Sequence, residues 1–186
     1  MLTVSTPVLE TARLVLQPLT PNDAPVIQRL FPHWEIVQYL AATVPWPFPD
    51  NGAHHYVNNV ALASTAEGTG WFWTLRHKDA PAELIGVICL TDTEDNNRGF
   101  WLLPPWQGQG LMAEASMAVT DYWFNTLNRE VLRAPKAKLN EASRRISRAS
   151  GMRLIKTEKK AYVGGEFDSE LWEITRDEWN NLHHKK

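Results

Sequence analysis

The stretch from Phe100 to Ala115, FWLLPPWQGQGLMAEA, contains residue types that could bind a phosphate group. It begins as a bulky apolar strand, passes two prolines and the tripeptide Gly108-Gln109-Gly110, and ends in residues that favour a helix. The first turn of a helix leaves main-chain N–H groups without carbonyl partners, and their dipoles attract an anion. Glycine removes side chains that would keep a phosphate at a distance, and it tolerates positive φ. A Gly-x-Gly pair is equally compatible with a tight turn that holds no ligand.

Three classes of phosphate site compete for this stretch. A P-loop requires Gly-x-x-x-x-Gly-Lys-Ser/Thr, which the sequence lacks. A dinucleotide site is closer, because Gly108, Gly110 and Ala113 fit Gly-x-Gly-x-x-Ala, but it requires an acidic residue at the end of the next strand. Glu130 precedes that strand instead, and several antiparallel strands come before the glycines. The third class is a site for the pyrophosphate of an acyl-coenzyme A.

Metal and thiol chemistry are not indicated. His54 and His55 are adjacent, so on a helix they point in different directions, and no carboxylate or cysteine completes a ligand set. Cys89 lies inside an apolar strand where nothing nearby would lower its pKa. We therefore expect no metal, and we interpret the cysteine as a core residue.

The composition is that of one domain spanning residues 1–186. Hydrophobic residues make up 44% and charged residues 22% of the chain, as in ordinary globular proteins. No apolar run approaches the roughly 20 residues that span a bilayer, and the N-terminus does not have the pattern of a signal peptide. With a single cysteine, no internal disulfide can form. These features predict a cytoplasmic protein without a membrane partner.

Charge is distributed unevenly although the net charge is only −2. Residues 129–160 contain 11 Lys/Arg against 3 Asp/Glu, a local excess of +8. This segment is either a solvated helix face with its connecting loops or a docking surface for a phosphorylated ligand. Overall acidity and the lack of a recognised binding motif argue against a nucleic-acid partner.

Hydrophobic periodicity predicts a mixed α/β domain in which antiparallel strands come first. Strands are expected at RLVLQPL, GWFWTLRH, ELIGVICLTD, RGFWLL and REVLRAP. Helices are expected after Thr20, from about His54 to Glu67, and from the glycines to Leu127. A second, basic helix begins at Asn140 and ends at Gly151; a hairpin around Gly164-Gly165 and a short helix follow.

PPWQGQGLMAEA resembles the pyrophosphate motif of the GNAT N-acetyltransferase superfamily, Gln/Arg-x-x-Gly-x-Gly/Ala, and within it the RimJ/RimL-type branch. Other stretches agree in order, namely LETARLVLQPLTPNDA, VPWPFP, RGFWLLP, NEASRRISRASGM and ITRDEW. The similarity runs from about Leu9 to Trp179. Met112 departs from the motif, which usually has glycine or alanine there, so its side chain must point away from the phosphates.

The resemblance implies an α+β fold with a mostly antiparallel central sheet of about seven strands, flanked by helices and splayed in the middle to admit acetyl-CoA. The pantetheine arm of this cosubstrate would pair with the strand edge at Trp101, Leu102 and Leu103. The pyrophosphate would be wrapped by Gln107, Gly108, Gln109, Gly110, Leu111, Met112 and Ala113. Asn140 would reach the pantetheine amide, cap its helix, or do both. One arginine among Arg144, Arg145 and Arg148, with Arg144 preferred, would bind the adenosine phosphates.

The implied reaction is direct transfer of the acetyl group to an amine, which must lose a proton to attack. Glu94, in the turn TDTEDNN, is the expected base, with a solvent-facing acidic turn or a water chain as alternatives. Many relatives protonate the departing thiolate with a tyrosine after the asparagine. This chain has Ser143 in that region, which we expect to be the donor unless it only makes local hydrogen bonds.

The acceptor is expected to be a primary amine, either the α-amine of a protein N-terminus or a small amine. Trp46 and Phe48, in the proline-rich loop 44–51, are expected to line its pocket or else to pack in the core. A non-catalytic acyl-CoA-binding or regulatory domain on the same fold is the alternative. Many relatives are dimers, so a homodimer is also expected.

Overall fold

The computed structural model describes residues 5–184, and in this part of the chain eight strands form two sheets. The first sheet has the order β1-β2-β3-β4-β5 and is antiparallel throughout. The second has the order β6-β8-β7 and is also antiparallel. Their bounds are Leu9–Glu10, Leu14–Pro18, Gly70–His77, Gly86–Thr93, Asn96–Leu102, Val131–Ala137, Arg153–Tyr162 and Gly165–Thr175 for β1 to β8.

Helices cover both faces of the first sheet. In chain order they are α1 (Ala24–Leu30), α2 (Trp34–Val37), α3 (Gly52–His55), α4 (Leu62–Ala66), α5 (Leu111–Asn125), α6 (Glu141–Ala149) and α7 (Arg176–His183). The expected α+β fold is confirmed, with eight strands in place of about seven. Within residues 5–184, none of the helices has the length and apolar character required to cross a bilayer.

Strand β3 is buried along both faces, which explains its unbroken apolar sequence GWFWTL. Trp73 and Leu75 pack into a core cluster that includes α5, whereas Phe72 packs into a second cluster that includes α1 and the helix before β3. The two clusters hold the first sheet between two layers of helices. The site described below lies where this sandwich is interrupted.

The interruption is between β5 and β6. These strands lie side by side, yet no ladder of main-chain hydrogen bonds joins them. A side chain bridges them near the start of each strand, where the Arg133 main-chain N–H donates to Asn97 Oδ1 at 2.8 Å. We refer to the open space between β5 and β6 as the gap.

The predicted helix at 54–67 is found, but its middle turn is irregular. Helix α3 continues directly into a π-helix over Tyr56–Ala61 and then into α4. Such segments are rare and are frequently found at functional sites. This one places Tyr56 and Val60 beside a cavity described below.

Candidate functional site

The loop before α5 has the geometry of an anion cradle. Gly108 and Gly110 adopt φ of 78° and 80°, the left-handed region that favours glycine. Gly110 is the N-cap of α5, and the first helical bond runs from the Glu114 N–H to its carbonyl. Among the described residues, no acceptor bonds the N–H groups of residues 108–113. A Cβ built on Gly108 would meet no atom within 4 Å, so the space beside these donors is open.

Met112 does not obstruct this cradle. Its side chain is buried in the core cluster beneath α5, together with Leu111. The methionine at this position, where the motif usually has a small residue, therefore keeps its main-chain N–H directed to the loop, and its thioether packs in the core. This agrees with the expectation that the methionine points away from the phosphates.

The Arg13 side chain anchors the loop through hydrogen bonds. Its guanidinium donates to the Gln109 carbonyl at 2.9 Å and to Glu114 Oε1 at 3.0 Å. Glu114 also accepts from the Thr11 hydroxyl and from the Arg13 main-chain N–H. Burial alone would raise the pKa of its carboxyl, but these hydrogen bonds together lower it below its usual value. The residue comes from the start of β2, about 100 positions upstream, so no local motif identified it.

The residues of β5 whose main-chain groups face the gap are shifted by one position from the predicted residues. The Leu103 N–H donates to Ile85, and the Leu103 carbonyl accepts from Trp106, so this main chain is fully used. Because hydrogen-bonded pairs alternate in an antiparallel ladder, Trp101 also faces β4. Phe100 and Leu102 then face the gap. The prediction for Trp101 and Leu103 as an edge is corrected on this ground. Leu102 stays a prediction through its main-chain N–H, because its carbonyl accepts from Gln107 Nε2 at 2.8 Å, so the Gln107 side chain is directed to β5 and not to the phosphates.

The gap opens into a cavity of about 190 Å³, which we call cavity 1. Ser143 and Asn140 line it, as does Lys136, a residue that no sequence motif indicated. Lys136 Nζ donates to Ser143 Oγ at 3.2 Å, and both side chains are buried. Asn140 Oδ1 caps α6 by accepting from the Ser143 N–H at 3.3 Å, so the capping interpretation is confirmed and its amide group stays available.

The wall of cavity 1 carries two buried cations. Arg98 is 4% exposed and Lys136 is 5% exposed. Burial lowers the pKa of Arg98 to about 10. Burial also lowers the pKa of Lys136 well below its usual range, with Arg98 contributing and Glu170 opposing the shift. Since Arg144 already pairs with Glu170, the wall is suited to a negative charge forming in the cavity.

Arg144 is not free to bind phosphates as expected. It donates to Glu170 at 2.8 Å and to Glu141 at 2.8 Å, and these bonds raise its pKa. Arg148 also bonds Glu141, at 3.0 Å. Arg145 is the arginine of this helix with an open guanidinium, because its side chain is 77% exposed and its ion pair with Glu141 is longer, at 3.8 Å.

Glu94 is exposed at the turn between β4 and β5 and lines neither cavity, although Asn96, at the start of β5, lines cavity 1. Its neighbours Asp92 and Asp95 are paired with Arg129 and Arg133 at 2.7 Å. The two aspartates of this hairpin tip are therefore engaged in ion pairs, whereas the role of Glu94 as the base stays a prediction.

A larger cavity of about 580 Å³, cavity 2, lies on the opposite face of the first sheet. Phe48 lines it and packs edge-on against Phe31, with ring centroids 5.1 Å apart. Trp46 does not line it; this ring is 41% exposed and contacts Trp34. Cys89 lies in the wall, where burial raises the pKa of its thiol to about 11, so it stays protonated at neutral pH.

The two cavities share part of their lining. Leu40, Ala41, Gly99 and Phe100 border both of them. A group held at Gly99 and Phe100 would thus be reachable from the gap on one side and from cavity 2 on the other. This arrangement suits a transfer reaction between two substrates that enter from opposite faces.

Residues 13–153 match the sequence profile of the acetyltransferase (GNAT) domain, which is most of the chain. The chain belongs to the GNAT acetyltransferase family. Acetyl-CoA is the acetyl donor in this family, which accounts for an anion cradle beside a split sheet. The comparisons below extend the similarity to individual GNAT proteins.

Two GNAT relatives are more than a quarter identical to this acetyltransferase over the aligned residues. It is 27% identical over 190 residues to FsC-acetyl coenzyme A-N(2)-transacetylase of Aspergillus fumigatus, covering 93% of this chain and 78% of that protein. It is 28% identical over 149 residues to the uncharacterized N-acetyltransferase YoaA of Bacillus subtilis, covering 75% and 79%.

Solved GNAT structures confirm the fold. RimL, a ribosomal alpha-N-protein acetyltransferase in complex with coenzyme A, has a TM-score of 0.77 at 18% identity, with 91% of this chain and 98% of that chain covered. Mycobacterium smegmatis RimJ in complex with CoA-disulfide has a TM-score of 0.76 at 17% identity, with 92% and 88% covered. The chain therefore shares the fold of RimL and RimJ.

One of the site residues of this acetyltransferase that the sequence analysis did not predict has a recognisable pattern in the sequence. Lys136 follows Leu132 and Ala134 at the spacing of one strand face, so its position predicts a buried lysine. Tyr56 gives no comparable signal, because the π-helix that orients it is not visible in the periodicity. Over residues 5–184, no group of three or more His, Cys, Asp or Glu side chains is placed to hold a metal ion.

Proposed function

We propose that the protein is an N-acetyltransferase that moves the acetyl group of acetyl-CoA directly to a primary amine. The observation that carries the proposal is the row of unbonded N–H groups over residues 108–113, next to a gap that opens towards two cavities. The cradle would hold the pyrophosphate, and the pantetheine arm would run along Phe100 and Leu102. The acceptor would enter through cavity 2, with Phe48 in its wall.

In the proposed reaction, the neutral amine attacks the thioester carbonyl and the carbon–sulfur bond breaks. The departing thiolate takes a proton from the Ser143 hydroxyl, the new amide nitrogen loses a proton to solvent, and the serine oxygen regains a proton from solvent. Because Ser143 Oγ already accepts a hydrogen bond from Lys136, its own hydrogen is left to point elsewhere in cavity 1. The positive charge of Arg98 in the same wall would stabilise the thiolate, while Lys136 holds the serine hydroxyl in place.

Thermal unfolding with separate additions of acetyl-CoA, coenzyme A and NAD tests the binding step. A ligand that binds only the folded state at 100 times its Kd stabilises by about 2.7 kcal/mol, or about 5–10 °C in Tm for a chain of this size. We expect this shift with acetyl-CoA and coenzyme A and none with NAD. A response to NAD alone would contradict the proposal.

Thiol release with and without an amine panel separates catalysis from binding. Amine-dependent release of coenzyme A supports the acetyltransferase, and binding without release supports the non-catalytic acyl-CoA-binding alternative. The names of both relatives, a transacetylase and an N-acetyltransferase, favour the catalytic function. The homodimer and the cytoplasmic location stay predictions.

The pH dependence of kcat/KM should follow the acceptor and not the protein. None of the described residues that line the two cavities is an aspartate or glutamate, so their walls hold no carboxylate, and His55 is the imidazole in the wall of cavity 2. Only the neutral amine attacks, so kcat/KM should rise about tenfold per pH unit up to the pKa of the amine. Amines of different pKa should shift the end of this rise accordingly. A rise that ends at one pH for all amines would indicate a base on the protein.

A further inference from the structure

The lining of cavity 2 is apolar and uncharged, which is unusual for a site that receives an amine. Its volume of about 580 Å³ is within the range of small-molecule sites. Aromatic and aliphatic side chains dominate it, including Phe31, Phe48, Val60 and Trp101. None of its described lining residues is Asp, Glu, Lys or Arg. The cavity therefore offers no counter-charge to a second cationic group on the acceptor.

The π-helix contributes a polar atom inside this apolar wall. Tyr56 lines cavity 2 and its ring packs edge-on against Phe72, with centroids 6.2 Å apart. The residue is 39% exposed, and because it lines cavity 2, part of this surface faces the cavity. Burial raises the pKa of the Tyr56 hydroxyl above its usual value, so the hydroxyl is neutral. Among the described residues, no hydrogen-bond partner is found for this hydroxyl. A neutral hydroxyl is thus left to bond a polar atom of the ligand.

We infer that the acceptor is a primary amine attached to one bulky apolar group, and that this group fills cavity 2 while the amine reaches the shared wall at Gly99 and Phe100. The inference rests on the proposed function and adds the substrate class. A free alkyl or aryl amine and a peptide beginning with leucine or phenylalanine present the same chemistry. Diamines and polyamines are excluded as preferred acceptors, because a second ammonium would be buried without a partner.

Amine-dependent release of coenzyme A from acetyl-CoA is the measurement, with kcat/KM determined for linear alkylamines of increasing length. Each methylene that leaves water should raise kcat/KM about fourfold, which corresponds to ~0.8 kcal/mol per CH₂. The increase should stop when the cavity is full. Replacing the terminal methyl by an ammonium, in the diamine of equal length, should lower kcat/KM at least about 100-fold.

A second arm distinguishes the two sources of this chemistry. Short peptides that begin with leucine or phenylalanine are compared with peptides beginning with glycine and with the alkylamine series. Preference for the apolar peptides over glycine peptides assigns the chemistry to a protein N-terminus. Activity restricted to the alkylamines assigns it to a small molecule, and both results support the apolar acceptor.

The variant Val60→Glu tests whether cavity 2 sets this preference. Val60 is 46% exposed within the π-helix, so the substitution leaves the core intact. A carboxylate there should reverse the order, lowering kcat/KM for the alkylamine and raising it for the diamine. Met117→Glu is the matched control, because Met117 is 36% exposed on α5 and lines neither cavity. The control should keep the wild-type order.

Three results would overturn the inference: a preferred diamine in the wild type, a flat response to chain length, or an unchanged order in Val60→Glu. Failure of the proposed function gives a different result, since then no amine in either arm would release coenzyme A although acetyl-CoA still raises the Tm.

Discussion

Replacing Gly108 with valine is expected to weaken acetyl-CoA binding at least about 100-fold while the protein remains folded. The new Cβ and methyl groups enter the open space beside the cradle, where the pyrophosphate would lie. At φ of 78°, a β-branched residue also strains the loop and turns N–H groups away from the ligand. Loss of two charge-assisted hydrogen bonds is sufficient for this effect, since each contributes about 1.5–3 kcal/mol.

Gly68→Val is the matched control for this experiment. Gly68 has φ of 75°, and a Cβ there also meets no atom within 4 Å, but the residue lies in the turn between α4 and β3. Both variants carry a left-handed strain of about 1–2 kcal/mol and should lose about 2–8 °C in Tm. Only Gly108→Val should lose the stabilisation by acetyl-CoA, measured by thermal unfolding and calorimetry. Equal retention in both variants would exclude the cradle as the pyrophosphate site.

Ser143→Ala is expected to lower kcat about 100-fold, the low end of what general acid catalysis contributes. Lys136→Met should lower kcat about tenfold, with the KM for acetyl-CoA nearly unchanged, because the lysine positions the serine hydroxyl. The double variant should be no slower than Ser143→Ala, since two residues that act as a unit are not additive. Independent losses that multiply would contradict a joint role. Lys138→Met, at an exposed lysine two residues away, is the control.

The pH dependence of folding gives an independent readout for Lys136. Its pKa is lowered in the folded state, so between that value and the unfolded value of about 10.4 the unfolded chain binds more protons. Folding stability therefore rises with pH across this window. Lys136→Met should lack this rise and should be more stable than the wild type at neutral pH. Denaturant unfolding across pH measures both, and identical pH curves would place the lysine amine in water.

Much of the fold was predictable because its signals are local. The strand GWFWTLRH and the second half of the chain follow from alternation, and Gly164-Gly165 marks the hairpin that joins β7 to β8. The two glycines of the cradle also follow from local rules, since a strand-to-helix junction requires positive φ there. The cradle could therefore be inferred from a dozen residues.

The rest of the site depends on contacts between distant parts of the chain. Arg144 was predicted to bind phosphates, but Glu170 reaches it from β8, 26 residues downstream. Glu94 was predicted to be a base because its turn follows a central strand, but its side chain lines neither cavity. Tyr56 was missed because a π-helix alters the direction of its side chain. Periodicity does not contain this information.

Because no ladder joins β5 to β6, the two sheets do not share main-chain hydrogen bonds. A hydrogen bond from the Arg133 N–H to Asn97 links them where β5 and β6 lie side by side. A pantetheine arm bound along Phe100 and Leu102 would act as a substitute strand and connect the two sheets. The two sheets would then be held together while coenzyme A is bound, and they would separate again in mobility when it leaves in each catalytic cycle. Amide exchange in this part of β5 would accordingly slow with cofactor bound and accelerate on its release.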